Sequence, residues 1–259
     1  MSIWVTALAA GLGIGTLLIG AAIGWFWNVP RRAVAGVMAF GAGVMVATLA
    51  LELVVEAADA GGVWPVVLGF ASGAVLYVAG DWFLARLSRK RAAATQPDAD
   101  STPDSRNVIA RRGGDSPGDG GAIAVGALLD GVPEAIVIGL SAATGNFPVA
   151  IVAAIGLSNI PEGLAGTVPL KRSGRSATWV FGLWAGITLI AVVGAVVGSV
   201  VLQDAPPELI AVIVSLAAGA LLAMVCNAMI PEAFEQDHRM TGLLATAGFL
   251  VAFVMNELT

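Results

Sequence analysis

The sequence predicts an all-α integral membrane protein: a single transporter domain, 1–259, of eight transmembrane helices in a 3+2+3 arrangement. Three observations carry that reading. Of the 259 residues, 58% are hydrophobic and only 12% charged, against roughly a quarter charged in soluble domains. Apolar runs of about 20 residues, long enough to cross roughly 30 Å of hydrocarbon, recur along nearly the whole chain and leave no separate soluble domain. Once the runs are threaded as eight spans, all thirteen Lys and Arg residues fall on one face.

The runs between polar breaks place helices near residues 4–27, 33–57, 63–87, 121–143, 148–170, 176–202, 208–233 and 240–257. The first lacks a basic leading region and a small-residue cleavage pattern, so it reads as a retained helix and not a signal peptide. The second carries Glu52 and Glu56 one turn apart, with Glu52 the deeper and the better candidate to line a transport path. Between the third and fourth, 88–120 is rich in Asp, Ser, Pro, Arg and Gly and poor in large apolar residues. Such a stretch cannot bury enough surface to order itself and reads as a flexible loop.

The basic residues decide sidedness. Arg31 and Arg32 follow the first helix, Arg86 to Arg112 flank and fill the third connection, Lys171, Arg172 and Arg175 follow the fifth, and Arg239 follows the seventh. The positive-inside bias makes that face cytoplasmic. The expectation is therefore a multi-pass protein of the cell membrane, the inner membrane of a bacterium, with extracytoplasmic termini and a cytoplasmic 88–120 loop. The single cysteine, Cys226, excludes an internal disulfide and any multi-thiolate metal site, and the single histidine, His238, excludes a His-rich structural zinc site.

The chemistry concentrates in the central pair. The fourth helix reads Leu128-Leu129-Asp130-Gly131-Val132-Pro133-Glu134-Ala135 and the fifth Leu157-Ser158-Asn159-Ile160-Pro161-Glu162-Gly163. Asp130 and Glu134 are four residues apart, as are Ser158 and Glu162, so each pair shares a helical face. Pro133 and Pro161 each remove an amide donor and displace the carbonyl four residues earlier, predicting an opened turn at mid-span with a carbonyl oxygen to offer. A lone intramembrane acid is a hydrogen-bonded core group as readily as a ligand. Two antiparallel helices with acid, proline and polar neighbour at one depth favour function, because an ionised acid at the bilayer centre costs at least about 2.5 kcal/mol on insertion scales. No basic residue lies in these helices, so an external cation is the counter-charge. The oxygen-rich donor set suits Mn, Mg, Ca or Fe(II), and zinc less selectively.

These two motifs resemble those of the Zrt- and Irt-like (ZIP) divalent metal transporters, whose fourth and fifth helices carry His-Asn-x-Pro-Glu-Gly and a polar-polar-Ile-Pro-Glu-Gly string. The resemblance extends to eight helices, outer termini and a long cytoplasmic loop after the third. It implies a metal site of Asp130, in place of the family's histidine, with Glu134, Glu162, Ser158, Asn159 and Met45 of the second helix. Gly131 and Ala191 stand where the family's second metal position would have its Asn and Glu, which argues for a mononuclear site with reduced zinc preference. In the seventh helix, Asn227-Ala228-Met229-Ile230-Pro231-Glu232 resembles the family's polar Pro-Glu ending and puts Asn227 and Glu232 on the pathway.

The function expected is transmembrane transport of a divalent cation (Zn, Fe, Mn, Co or Cd) as substrate. No tightly bound cofactor, no enzymatic activity and no nucleic-acid partner is expected. The partners are the metal, the lipid bilayer and, by resemblance, a second copy of the chain in a homodimer. Two alternatives stay open: a proton or monovalent-cation channel using the same acids, and an intramembrane hydrolase. The second is disfavoured because neither His-Glu-x-x-His nor a Ser-His or Ser-Lys arrangement is present at one depth.

Overall fold

The computed structural model describes residues 3–95, 120–143 and 149–258. Every regular element among them is helical. In chain order the rods are α1 (Ile3–Phe26), α2 (Arg31–Gly61), α3 (Val63–Thr95), α4 (Gly120–Ala143), α5 (Val149–Arg172), α6 (Ala177–Val201), α7 (Pro207–Gln236) and α8 (Thr241–Leu258). Among the described residues, seven of these rods contain a stretch long and apolar enough to cross a membrane, which fits a multi-pass all-α membrane protein.

Helix ends follow local chemistry. At α6, Ser176 caps the first turn, its Oγ accepting from the Trp179 amide at 3.3 Å. Pro207 opens α7 with Glu208 in the first turn, where the missing donor is harmless and a negative charge complements the helix dipole. Gly62, at φ 83°, turns the chain from α2 into α3, a conformation side-chain-bearing residues avoid. One predicted boundary is corrected: helix α3 continues past 87 to Thr95, so the first residues of the expected 88–120 loop are helical. Ser88 to Thr95 is dominated by Arg, Lys and Ala, all strong helix formers. The rest of that loop, 96–119, lies outside the described residues.

Without a hydrophobic drive between helices in lipid, association rests on close backbone approach at small residues. Gly163 of α5 meets the Leu17 carbonyl of α1, and Gly139 of α4 meets the Ala195 backbone of α6. Gly248 of α8 meets Phe40 of α2, and Gly219 of α7 meets Phe70 of α3. At each crossing a β-carbon would run into main-chain atoms, so these glycines set the interhelical spacing.

The resulting partnerships form a pattern. Helix α1 packs on α5 and α6 on α4; α2 packs on α8 and α7 on α3; α2 touches α5 and α7 touches α4; α1 touches α6. Exchanging α1, α2, α3 with α6, α7, α8 and α4 with α5 returns the same list. The rods thus fall into two groups of four, α1/α4/α5/α6 and α2/α3/α7/α8, meeting where α2 faces α5 and α7 faces α4.

Besides the turn at Gly15 in α1, two rods depart from the α-helix, and neither departure falls at the prolines of the central pair. Helices α4 and α5 run continuously through Pro133 and Pro161, and α5 through Pro169 as well. The expected opening at Leu129 and Leu157 is replaced by unbroken helix, as tight flanking packing allows. The wide turns lie instead in α2, where Leu49–Leu53 is π-helical, and in α7, where Val225–Met229 is. In α7 the cause is local: Pro231 sits just beyond the wide turn, and its ring opposes the carbonyl of Asn227 four residues back, a clash that widening relieves. Helix α2 has no proline near its own wide turn.

Candidate functional site

Asp130 and Glu134 of α4 and Ser158 and Asn159 of α5 are all buried, each 2% exposed or less. Helix period puts Asp130 above Glu134 on one face. Asn159 Nδ2 donates to Glu134 Oε2 at 2.9 Å, joining the two helices of the central pair. The other oxygen, Glu134 Oε1, is buried and has no hydrogen-bond partner among the described residues.

Asp130 Oδ1 accepts from the Tyr77 hydroxyl of α3 at 3.2 Å. That bond crosses between the two groups of four rods. No basic residue occurs between Arg112 and Lys171, so neither acid can be neutralised by a Lys or Arg of its own or the neighbouring central helix.

Ser158 donates to the Ile155 carbonyl of its own helix at 2.9 Å, which leaves its oxygen lone pairs as acceptors. Glu162, one turn further on, is half-buried and already engaged in an interaction. Met45 is buried in the same apolar cluster as Ile138, Ile155, Met224 and Met229. Gly41 of α2 lets the three helices close in: a β-carbon there would lie 3.3 Å from Ser158 Cα and Pro161 Cγ and 3.4 Å from Met229 Cε. Gly41 of α2 therefore brings the α5 motif and the wide turn of α7 against the same point of α2.

Of the pathway residues, Glu52 lies within the wide turn of α2 and is half-buried, Asn227 lies within that of α7 and is exposed, and Glu232 follows it by one turn. Among the described residues no three of His, Cys, Asp and Glu converge closely enough to hold a metal ion. Asp130 and Glu134 are each held by a neutral hydrogen-bond donor instead.

Tyr77 is the buried partner of Asp130 that sequence reasoning missed. It is the only tyrosine in the chain. A phenol in an apolar helix must find a polar partner, and the acids of α4 are the deepest ones available. The wide turn of α7 has a local cause in Pro231 that the sequence reading did not draw on; that of α2 had no local signal.

At the helix ends carrying the basic residues, three cations lie over indole rings: Arg86 over Trp82 at 5.3 Å, Lys171 over Trp25 at 5.8 Å and Arg175 over Trp179 at 4.8 Å. Lys171 also donates to the Trp25 carbonyl. Indole and cation together mark a membrane–water boundary. No family model matches the chain, and the search of curated proteins finds no match.

Proposed function

We propose that this protein carries divalent metal cations across a membrane through the α4–α5 pair, as the motif resemblance to the ZIP transporters implies. The observation that carries the reading is the state of Glu134: sealed from solvent, beside a second buried acid, with one oxygen unpartnered and no basic residue anywhere between Arg112 and Lys171. A buried ionised carboxylate costs several kcal/mol unless it is compensated. A divalent cation supplies that charge, bridging Glu134 with Asp130 and Glu162 as the hydrogen bonds from Asn159 and Tyr77 rearrange around it.

In this proposal all eight rods span the bilayer in a 3+2+3 layout, with the termini outside and the 96–119 connection in the cytoplasm. The exchange symmetry of the packing supports an inverted repeat, an architecture that places substrate near the midplane where the repeats meet. The cation–indole pairs at the basic ends support the sidedness.

The deciding experiment is uptake of Mn²⁺, Fe²⁺, Co²⁺, Zn²⁺ and Cd²⁺ into proteoliposomes by wild type and Glu162→Gln. Flux should fall by more than about 10-fold in the variant, at least the loss seen when a metal's supporting hydrogen bond is removed. Normal flux would remove Glu162 from the site. A second reading, a proton or monovalent-cation channel, draws on the absence of a three-ligand group among the described residues. Current without metal uptake in the same vesicles would select it.

A further inference from the structure

A cleft lies away from the central acids, between the outer third of α2, the start of α5 and the end of α8. Val44, Ala47, Thr48, Leu51 and Glu52 line one wall, with Ala154, Ala252, Met255 and Asn256 across from them. It exists because three facing positions are alanine, too short to fill the space. Into this apolar slot project a carboxylate, an amide, a hydroxyl and a thioether. The Thr48 hydroxyl donates back to the Val44 carbonyl at 3.2 Å, so it turns lone pairs, not its proton, outward.

Glu52 sits in the π-helical turn Leu49–Leu53. A π turn shifts the backbone ladder by one residue and recurs at functional sites. Here it re-aims the part of α2 that lines the cleft, and α2 has no proline to account for it.

The electrostatics point one way. The remaining ionisable groups at this end of α2 and α8 are Glu56, Asp59 and Glu257, all acidic. The nearest basic residues along the three lining helices are Arg31 or Arg32, Lys171 and Arg239. At 1.5 Å per residue they lie about 25–30 Å away, well beyond a screening length of about 8–10 Å. Nothing within the three helices neutralises Glu52.

We propose that this cleft is a second cation site, in which Glu52 with the Asn256 amide oxygen, Thr48 and Met255 takes up a divalent metal ion. Carboxylate, amide and hydroxyl oxygens are the ligands of hard and borderline divalent metals, and the thioether extends the range to softer ones. Thr48 and Met45 are three residues apart on one face of α2. An ion at Glu52 therefore sits about 10 Å outward from Met45 along the helix. Its role as the capture point for the central site rests on the transport reading; its existence as a binding site does not.

The test uses purified full-length protein in phosphatidylcholine nanodiscs and follows Mn²⁺ binding by loss of the free-ion paramagnetic resonance signal. In a Glu162→Gln background one Mn²⁺ should still bind. Adding Glu52→Gln should weaken that binding by at least ~10-fold, while Asn256→Asp in the same background should tighten it. A purely structural role for Asn256 would not produce tightening. An unchanged curve on adding Glu52→Gln, or no gain with Asn256→Asp in protein that elutes as a single folded species, overturns the site. Should Glu162→Gln transport normally, the central reading fails, yet loss of a Mn²⁺ on Glu52→Gln still establishes the outer site.

Discussion

The central pair α4–α5 and the flanking pair α2–α7 solve opposite problems. The central helices carry Asp130, Glu134 and Glu162 and the mid-span prolines yet run as unbroken rods; the flanking helices each open into a π turn. Ligand-bearing chemistry thus sits on stiff elements, and the irregular backbone is placed beside it, where α2 and α7 press on α5 and α4. Rigid rods hold Asp130 and Glu134 in register with Tyr77 and Asn159. Prolines alone therefore did not mark where the backbone departs from α-helix.

The sharpest way to break this contrast is to disturb the rigid side. Asn159→Ala removes the amide that donates to Glu134 Oε2 and leaves both carboxylate oxygens buried without a donor among the described residues. Apparent metal affinity in vesicle uptake should fall roughly 10–100-fold, and thermal unfolding in detergent should show about 1–3 kcal/mol of lost stability. Unchanged uptake would mean that Glu134 does not meet the substrate. Asp130→His puts a borderline-soft nitrogen where the resembling family has one. Zinc should move up the metal ranking in a competition panel, and an unmoved ranking would take Asp130 out of contact with the ion.

Smaller effects sharpen the same comparison. Tyr77→Phe deletes the hydroxyl that links α3 to Asp130 across the two groups of rods. Stability should drop by about 0.5–1.5 kcal/mol, with a smaller loss of uptake than Asn159→Ala. A larger loss would make Tyr77 a ligand and not a positioning residue. The smallest effect is expected from proline exchange. Pro231→Ala should let α7 close its wide turn, slowing amide exchange across 225–229, whereas Pro161→Ala should leave exchange across 157–163 nearly as before. Equal responses would erase the distinction between rigid and adaptable helices.

The membrane class, most helix limits (the end of α3 excepted) and the shared face of Asp130 and Glu134 were legible in the sequence. Each depends on quantities local to the chain: hydropathy over about 20 residues and the 3.6-residue period. Tyr77 was not legible as a partner of Asp130, because 53 residues separate them and only the packing of α3 beside α4 brings them together. The same holds for the bond from Asn159 to Glu134, which depends on the register of two helices joined through 144–148.

By itself, then, the sequence determined that the chain is helical and lipid-solvated, and that acids lie in α4 and α5 with no basic residue between Arg112 and Lys171. Tertiary structure decided which donors those acids meet, which helices stay straight through proline, and that α2 widens around Glu52 with no local instruction to do so. The reason is physical. Hydropathy and helical periodicity are properties of consecutive residues, whereas close glycine contacts, cross-helix hydrogen bonds and relief of backbone crowding are set by the neighbour that happens to pack alongside.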